Sequence, residues 1–161
     1  MSSIKINSSA VLTAYKNADV AGKKLLEDLV AGQVDFSMKI TDRIKTFEDA
    51  CAEVGFVPSS NNIAFGFADD KDMISINAYS KLCIIARALN EGWTPDWSDS
   101  NQYKYYPWFD MSSGSGLAFG GYGNWRSGSG VGSRLCFLTS EDAKYAGTKF
   151  KDLYEEYFIL K

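Results

Sequence analysis

Three aspartates, Asp96, Asp99 and Asp110, lie among the tryptophans Trp93, Trp97 and Trp108. Two carboxyl groups flanked by indoles could cleave a glycosidic bond without histidine, one protonating the leaving oxygen while the other activates water or attacks the sugar. No spacing rule selects a pair, so no catalytic residue is assigned. The chain contains no histidine, which removes the commonest general base and metal ligand together. Asp69, Asp70 and Asp72 raise the question of calcium. An EF-hand loop, however, needs alternating ligands, a glycine at the sixth position and a glutamate at the twelfth, and none of these follows. No metal site is expected; the three acids are read instead as the start of a helix, with Asp72 as its N-cap.

Two further constellations could bind rather than react. In Gly128-Ser-Gly-Val-Gly132, glycines could expose backbone N–H groups to a phosphate, but such loops feed a helix N-terminus and this one runs toward a strand-like segment. No cofactor is expected. Tyr122, Asn124, Trp125 and Arg126 instead combine the residue types of antibody-like contact surfaces, where rigid aromatics supply area and small polar groups supply adaptable hydrogen bonds. Trp93, Trp97, Tyr103 and Tyr105 could stack on a flat ring while Arg126 or Arg134 meets a phosphate.

Composition narrows the classes. The 161 residues carry 17 basic and 20 acidic side chains, a net charge of −3, so general nucleic-acid binding through clustered cations is not expected. No apolar run is long enough to cross a membrane, and MSSIKINSSAV lacks the apolar core of a secretory signal. Synthesis in the cytoplasm without a signal peptide is expected. The three cysteines, Cys51, Cys83 and Cys136, are widely separated and flanked by apolar residues, as small core residues are.

The elements that must position these groups follow from periodicity. Apolar residues from Val11 to Leu29 recur at helical spacing and predict a helix from Ser8 to Val30, breakable near Gly22 and ending at Gly32. Thr46-Phe-Glu-Asp49 predicts a capped short helix that Gly55 stops. Ile63–Phe67 reads as a short strand, and Met73–Leu89 as a central helix. Lys104 to Met111 reads as extended, with Pro107 arguing for an edge or bulge and with Trp108 and Phe109 assigned to the core. Residues 112–130, rich in Gly and Ser, read as a displayed loop, within which Ser113-Gly-Ser-Gly and Ser127-Gly-Ser-Gly form an echo. Ser133–Leu138 reads as the last strand, and Thr139 caps a closing amphipathic helix. This order gives an α+β class: a helical N-terminal half, a small antiparallel sheet carrying a long Gly/Ser/aromatic loop, and a C-terminal amphipathic helix. One domain is expected over residues 1–161, with 41–161 as the core and 1–32 as a helical segment open to use in homo-oligomerisation.

Tyr106-Pro-Trp-Phe-Asp-Met111 and Val131-Gly-Ser-Arg-Leu-Cys-Phe137, followed by the closing helix, resemble a family of uncharacterised proteins from gut bacteria and their phages, over Thr41 to the C-terminus. More distantly, the Gly132-Ser-Arg134 region is similar to C-type-lectin-like display domains, although those end near the strand and this chain continues into a helix. The resemblance implies a phage-derived or phage-related protein, open to association with a virion, and brings no function of its own.

The leading expectation is therefore a non-enzymatic recognition protein that presents residues 112–130 to a partner. The contact residues would be Tyr122, Asn124, Trp125, Arg126, Trp97, Tyr103 and Tyr105. A small-ligand, nucleotide-like sequestering protein is the alternative, and a glycan-binding or glycan-cleaving protein the third. The expected partner is a protein, a glycan or a small molecule, with no membrane.

Overall fold

The computed structural model describes residues 8–58, 69–112 and 116–159. Among them are seven helices, α1 (Ser8–Asn17), α2 (Val20–Val30), α3 (Ile40–Arg43), α4 (Phe47–Glu53), α5 (Asp70–Leu89), α6 (Ser140–Lys149) and α7 (Lys151–Phe158). The strands β1 (Lys104–Asp110) and β2 (Ala118–Trp125) form an antiparallel hairpin. The class is α+β, with a helical N-terminal half and the small sheet between α5 and the closing helices. The Ile63–Phe67 strand expected from sequence, and the Ser113-Gly-Ser part of the echo, lie outside the described residues.

Local chemistry sets the helix ends. At α4, Thr46 Oγ1 accepts from the Asp49 N–H and the Asp49 carboxylate accepts from the Thr46 N–H, a reciprocal capping box. Gly55 follows with φ +66°, the left-handed conformation that ends a helix. The expected N-terminal helix is two helices. Asp19 takes an extended conformation and its carboxylate accepts from the Gly22 N–H, so it starts α2 afresh, and the terminator is Ala31 rather than Gly32. The expected cap of α5 also moves: Asp69, not Asp72, accepts from the N–H groups of Lys71 and Asp72, both at 2.9 Å. The first turn is polar and exposed, so the apolar pattern starts one turn after the helix does.

α5 is the spine of the core. Ala78, Leu82, Ile85, Ala86 and Leu89 are buried along one stripe, and Ile74 is exposed. Leu117, Leu135, Phe137, Phe150 and Tyr154 close the cluster around it. Leu12, Val30 and Val34 form a separate small cluster under α1 and α2. Arg43 links this region to the core: its guanidinium donates to Glu53 and, at 2.6 Å, to Glu91, which also accepts from Lys16.

Two expectations about the C-terminal part need correction. Ser133–Leu138 is not a strand of the sheet. Tyr105 and Phe137 exchange one pair of backbone bonds, at 3.0 and 2.7 Å. The flanking groups then go to the side chain of Asn90, which donates to the Cys136 carbonyl at 2.8 Å and accepts from the Leu138 N–H at 3.0 Å. An amide at the end of α5 thus replaces the continuation of a ladder. The closing helix is also interrupted, at Phe150, whose φ of −112° and ψ of 29° separate α6 from α7. Thr139 caps α6 as expected.

The inner face of the hairpin packs on α6. Pro107 and Phe119 approach so closely that a Cβ at Gly147 would stand 2.7 Å from Pro107 Cβ and 2.6 Å from the Phe119 ring. Gly147→Ala therefore sets about 1 kcal/mol of helix preference against an overpacking cost of about 1–3 kcal/mol on a rigid pyrrolidine. The substitution is expected to lower Tm by roughly 3–6 °C in a thermal melt, and an unchanged or raised Tm would show that the helix can slide away.

Candidate functional site

The hairpin register runs from Lys104↔Trp125 through Tyr106↔Gly123 and Trp108↔Gly121, then shifts to Phe109↔Phe119. One extra residue on β2, Gly120, makes a bulge there, with Gly121 at φ +132°. Alternate side chains face opposite ways, which sorts the aromatic residues into two sets. Pro107 and Phe109 are buried toward α6 and α7, while Trp108 is 51% exposed on the other side. Trp108 therefore does not belong to the core as expected, and Phe109 does.

β2 supplies a floor for the outer set. A Cβ at Gly120 would fall 2.2 Å from the Trp108 ring, and one at Gly123 would fall 2.5 Å from the Tyr106 ring. The two rings from β1 thus lie across the glycines of β2, filling the space those residues leave empty. Trp125, 46% exposed, stacks on Tyr106 with ring centroids 6.3 Å apart and planes only 10° apart. Tyr106, Trp108 and Trp125 form a partly exposed aromatic face.

At the Lys104 end of this face, loops are held by one buried cation. Lys104 is 1% exposed, and its ammonium donates to the carbonyls of Asp99 (3.1 Å), Gln102 (2.9 Å) and Arg126 (2.9 Å). Its Nζ lies 5.3 Å from the centre of the Trp97 ring. Trp97 Nε1 donates in turn to Ser133 Oγ at 2.7 Å. Arg126 continues outward, with its guanidinium 4.6 Å from the Tyr103 ring centre and hydrogen-bonded to the Tyr103 hydroxyl.

The seven expected contact residues consequently divide. Trp125 joins the aromatic face, and Arg126 with Tyr103 stands at its end. Trp97 is a lid over Lys104. Tyr122 and Asn124 point to the opposite side of the hairpin, where Tyr122 meets Tyr105 edge-on at 5.7 Å and the Lys144 ammonium at 4.8 Å. Tyr105 packs against the main core. The expected 112–130 loop also changes character, because residues 118–125 are strand. Tyr106 and Trp108 supply two of the three rings of the aromatic face although only the types at 122–126 marked a surface; the glycines at 120 and 123 on the partner strand were the available sign.

The aspartates considered for glycoside cleavage hold turns. Asp96 Oδ1 accepts from the N–H and hydroxyl of Ser98, and Asp110 Oδ1 does the same with Ser112. Asp99 accepts from the Asn101 N–H at 2.8 Å. The serine hydroxyl and then the serine N–H keep Asp96 and Asp110 more acidic than usual, the opposite of what a proton-donating acid needs. Asp35 and Ser37 repeat the arrangement, so an Asp-x-Ser spacing is the signal that identifies these acids. No group of three or more Cys, Asp or Glu side chains among the described residues could hold a metal ion, and no described helix is long and apolar enough to cross a membrane.

The ring-stacking quartet is dispersed as well. Trp93 and Arg134 line a cleft beside α5, which Trp97 reaches only through its bond to Ser133, while Tyr103 and Tyr105 belong to the hairpin region. Comparison with protein-family models, curated proteins and solved structures finds no match, so the chemistry of these sites rests on their own geometry.

Lys104→Met keeps the length of the side chain and removes all three donors. Stranding buried carbonyls costs about 1–3 kcal/mol, so the variant is expected to melt roughly 3–10 °C lower. Trp125 fluorescence should lose its fixed environment at the same time; a Tm equal to that of the parent would show that the carbonyls find water.

Proposed function

We propose that the protein is a non-enzymatic binding protein and that its contact surface is the outer aromatic face of the β1–β2 hairpin. The observation that carries this reading is the placement of the Tyr106 ring across Gly123 and of the Trp108 ring against Gly120, with Trp125 stacked beside Tyr106. Aromatic groups that anchor protein interfaces fill pockets on their partner. Here the partly exposed rings are instead seated on the glycines of their own hairpin.

A saccharide chain is the partner this face suits best. The face of an aromatic ring carries partial negative charge, and the C–H groups on one side of a pyranose are its complement in shape and polarity. Arg126 and Tyr103 at one end, and Asp110 at the other, offer hydrogen bonds to hydroxyls at the rim. The Lys104 cage and the bulge keep the rings in place before a ligand arrives, which reduces the ordering cost of binding.

Isothermal titration against a panel of soluble neutral oligosaccharides tests the reading. At least one should bind, and Trp108→Ala/Trp125→Ala should weaken it by at least about tenfold. Because both indoles are half exposed, Tm should fall by no more than roughly 4 °C. Binding that survives the double substitution, or a parent protein that binds no saccharide in the panel, would overturn the assignment.

A further inference from the structure

The cleft beside α5 is separate from the aromatic face. It has a volume of about 700 Å³, within the range of small-molecule sites. α5 contributes Tyr79, Cys83 and Arg87 to one wall, Trp93 and Pro95 follow from the next loop, and Ser133 and Arg134 come from the turn that precedes the Asn90 clasp. The lining contains two guanidiniums and no carboxylate, in a chain whose net charge is −3. The ion pairs among the described residues involve Lys16, Arg43, Lys45 and Lys151; Arg87 and Arg134 make none.

Both guanidiniums line the cleft together with Cys83, from different elements of the fold. The Cys83 thiol, raised above its ordinary range by burial, is pulled back by the Tyr79 hydrogen bond and then by Arg134 and Arg87. Their walls are fixed from behind: Asn90 holds 136–138, and Trp97 holds Ser133. Ser133 Oγ accepts from that indole, so its own proton is left to donate.

We propose that this cleft binds a phosphomonoester attached to a flat ring, with Arg87 and Arg134 on the phosphate and Trp93 with Pro95 against the ring. Two planar forks match a group that carries between one and two negative charges and three acceptor oxygens, whereas a carboxylate occupies only one of them. The half-buried indole supplies the apolar surface that a bare phosphate leaves unused.

Cys83 provides a reporter inside the cleft. Cys51 and Cys136 are buried and only Cys83 is partly accessible, so a thiol-reactive disulfide reagent on the folded protein reads Cys83. Phenyl phosphate and adenosine monophosphate, at roughly millimolar concentration, are expected to slow that reaction by at least about tenfold. Inorganic phosphate should protect less, and benzoate least. Arg87→Gln/Arg134→Gln should abolish the protection, and Arg126→Gln, whose charge stands at the aromatic face, should leave it intact. Both cleft arginines are exposed, so the double variant should keep its far-ultraviolet spectrum; should it unfold, Arg134→Gln alone must reduce protection measurably. Labelling that phenyl phosphate and adenosine monophosphate leave unchanged, protection by benzoate equal to that by phenyl phosphate, or protection indifferent to the arginines would overturn the proposal.

Discussion

A single ammonium group organises the hairpin and its loops. Removing an ion from water costs several kcal/mol unless its partners replace the hydration shell. Lys104 has three N–H donors and three carbonyl acceptors, from Asp99, Gln102 and Arg126, with the Trp97 ring alongside. The acceptors come from the loop before β1 and the residue just after β2. Satisfying the cation therefore requires both loops to be in place, and it fixes where Trp125 and Arg126 begin their excursion. Trp97 passes the constraint on to Ser133, so the turn carrying Arg134 is located from the same centre.

The helices supply the rest of the frame by close approach rather than by extensive pairing. A two-stranded sheet is marginal alone, and this one gains its support from α6 and α7 on its inner face. Gly147 lets Pro107 and Phe119 sink onto α6, and Phe109 packs against Tyr154 at 4.9 Å and Phe158 at 5.9 Å. Burial pushes the pKa of the Tyr154 phenol far above its usual range, a mark of how dry that contact is. Asn90 performs the equivalent task on the other side, trading two backbone bonds that a third strand would have made for two from a side chain. The sheet is thereby closed with fewer residues.

Much of the helical architecture was legible because its determinants are local. The Thr46–Asp49 and Thr139–Asp142 spacings are complete capping signals in four residues, and the apolar repeat of α5 identifies the spine. The start of α5 and the break at Phe150 were not, since an exposed first turn and a continuous apolar face leave no mark in periodicity. β2 was hidden for a more instructive reason. Glycine pairs normally indicate loops, but in Ala118–Trp125 the missing side-chain bulk is supplied by rings from the neighbouring strand, a relation visible only once the register is known. Lys104 gave no sign either: a lysine at the head of a strand is ordinarily solvated, and nothing in the chain order announces three carbonyls gathered from residues 99 to 126. Of the expected contact residues, those at 122–125 fall on one strand of the hairpin, and the alternation of that strand puts Tyr122 and Asn124 on the far side from Trp125.

The division between a ring-bearing strand and a glycine-bearing one also bears on how such a surface can diversify. Any larger residue at 120 or 123 would evict a ring, so β2 has little freedom to drift under its load. Positions 106 and 108 are instead interchangeable tiles on a fixed bed, and exchange among Tyr, Trp, Phe or His there would change the exposed surface while the architecture beneath stayed untouched.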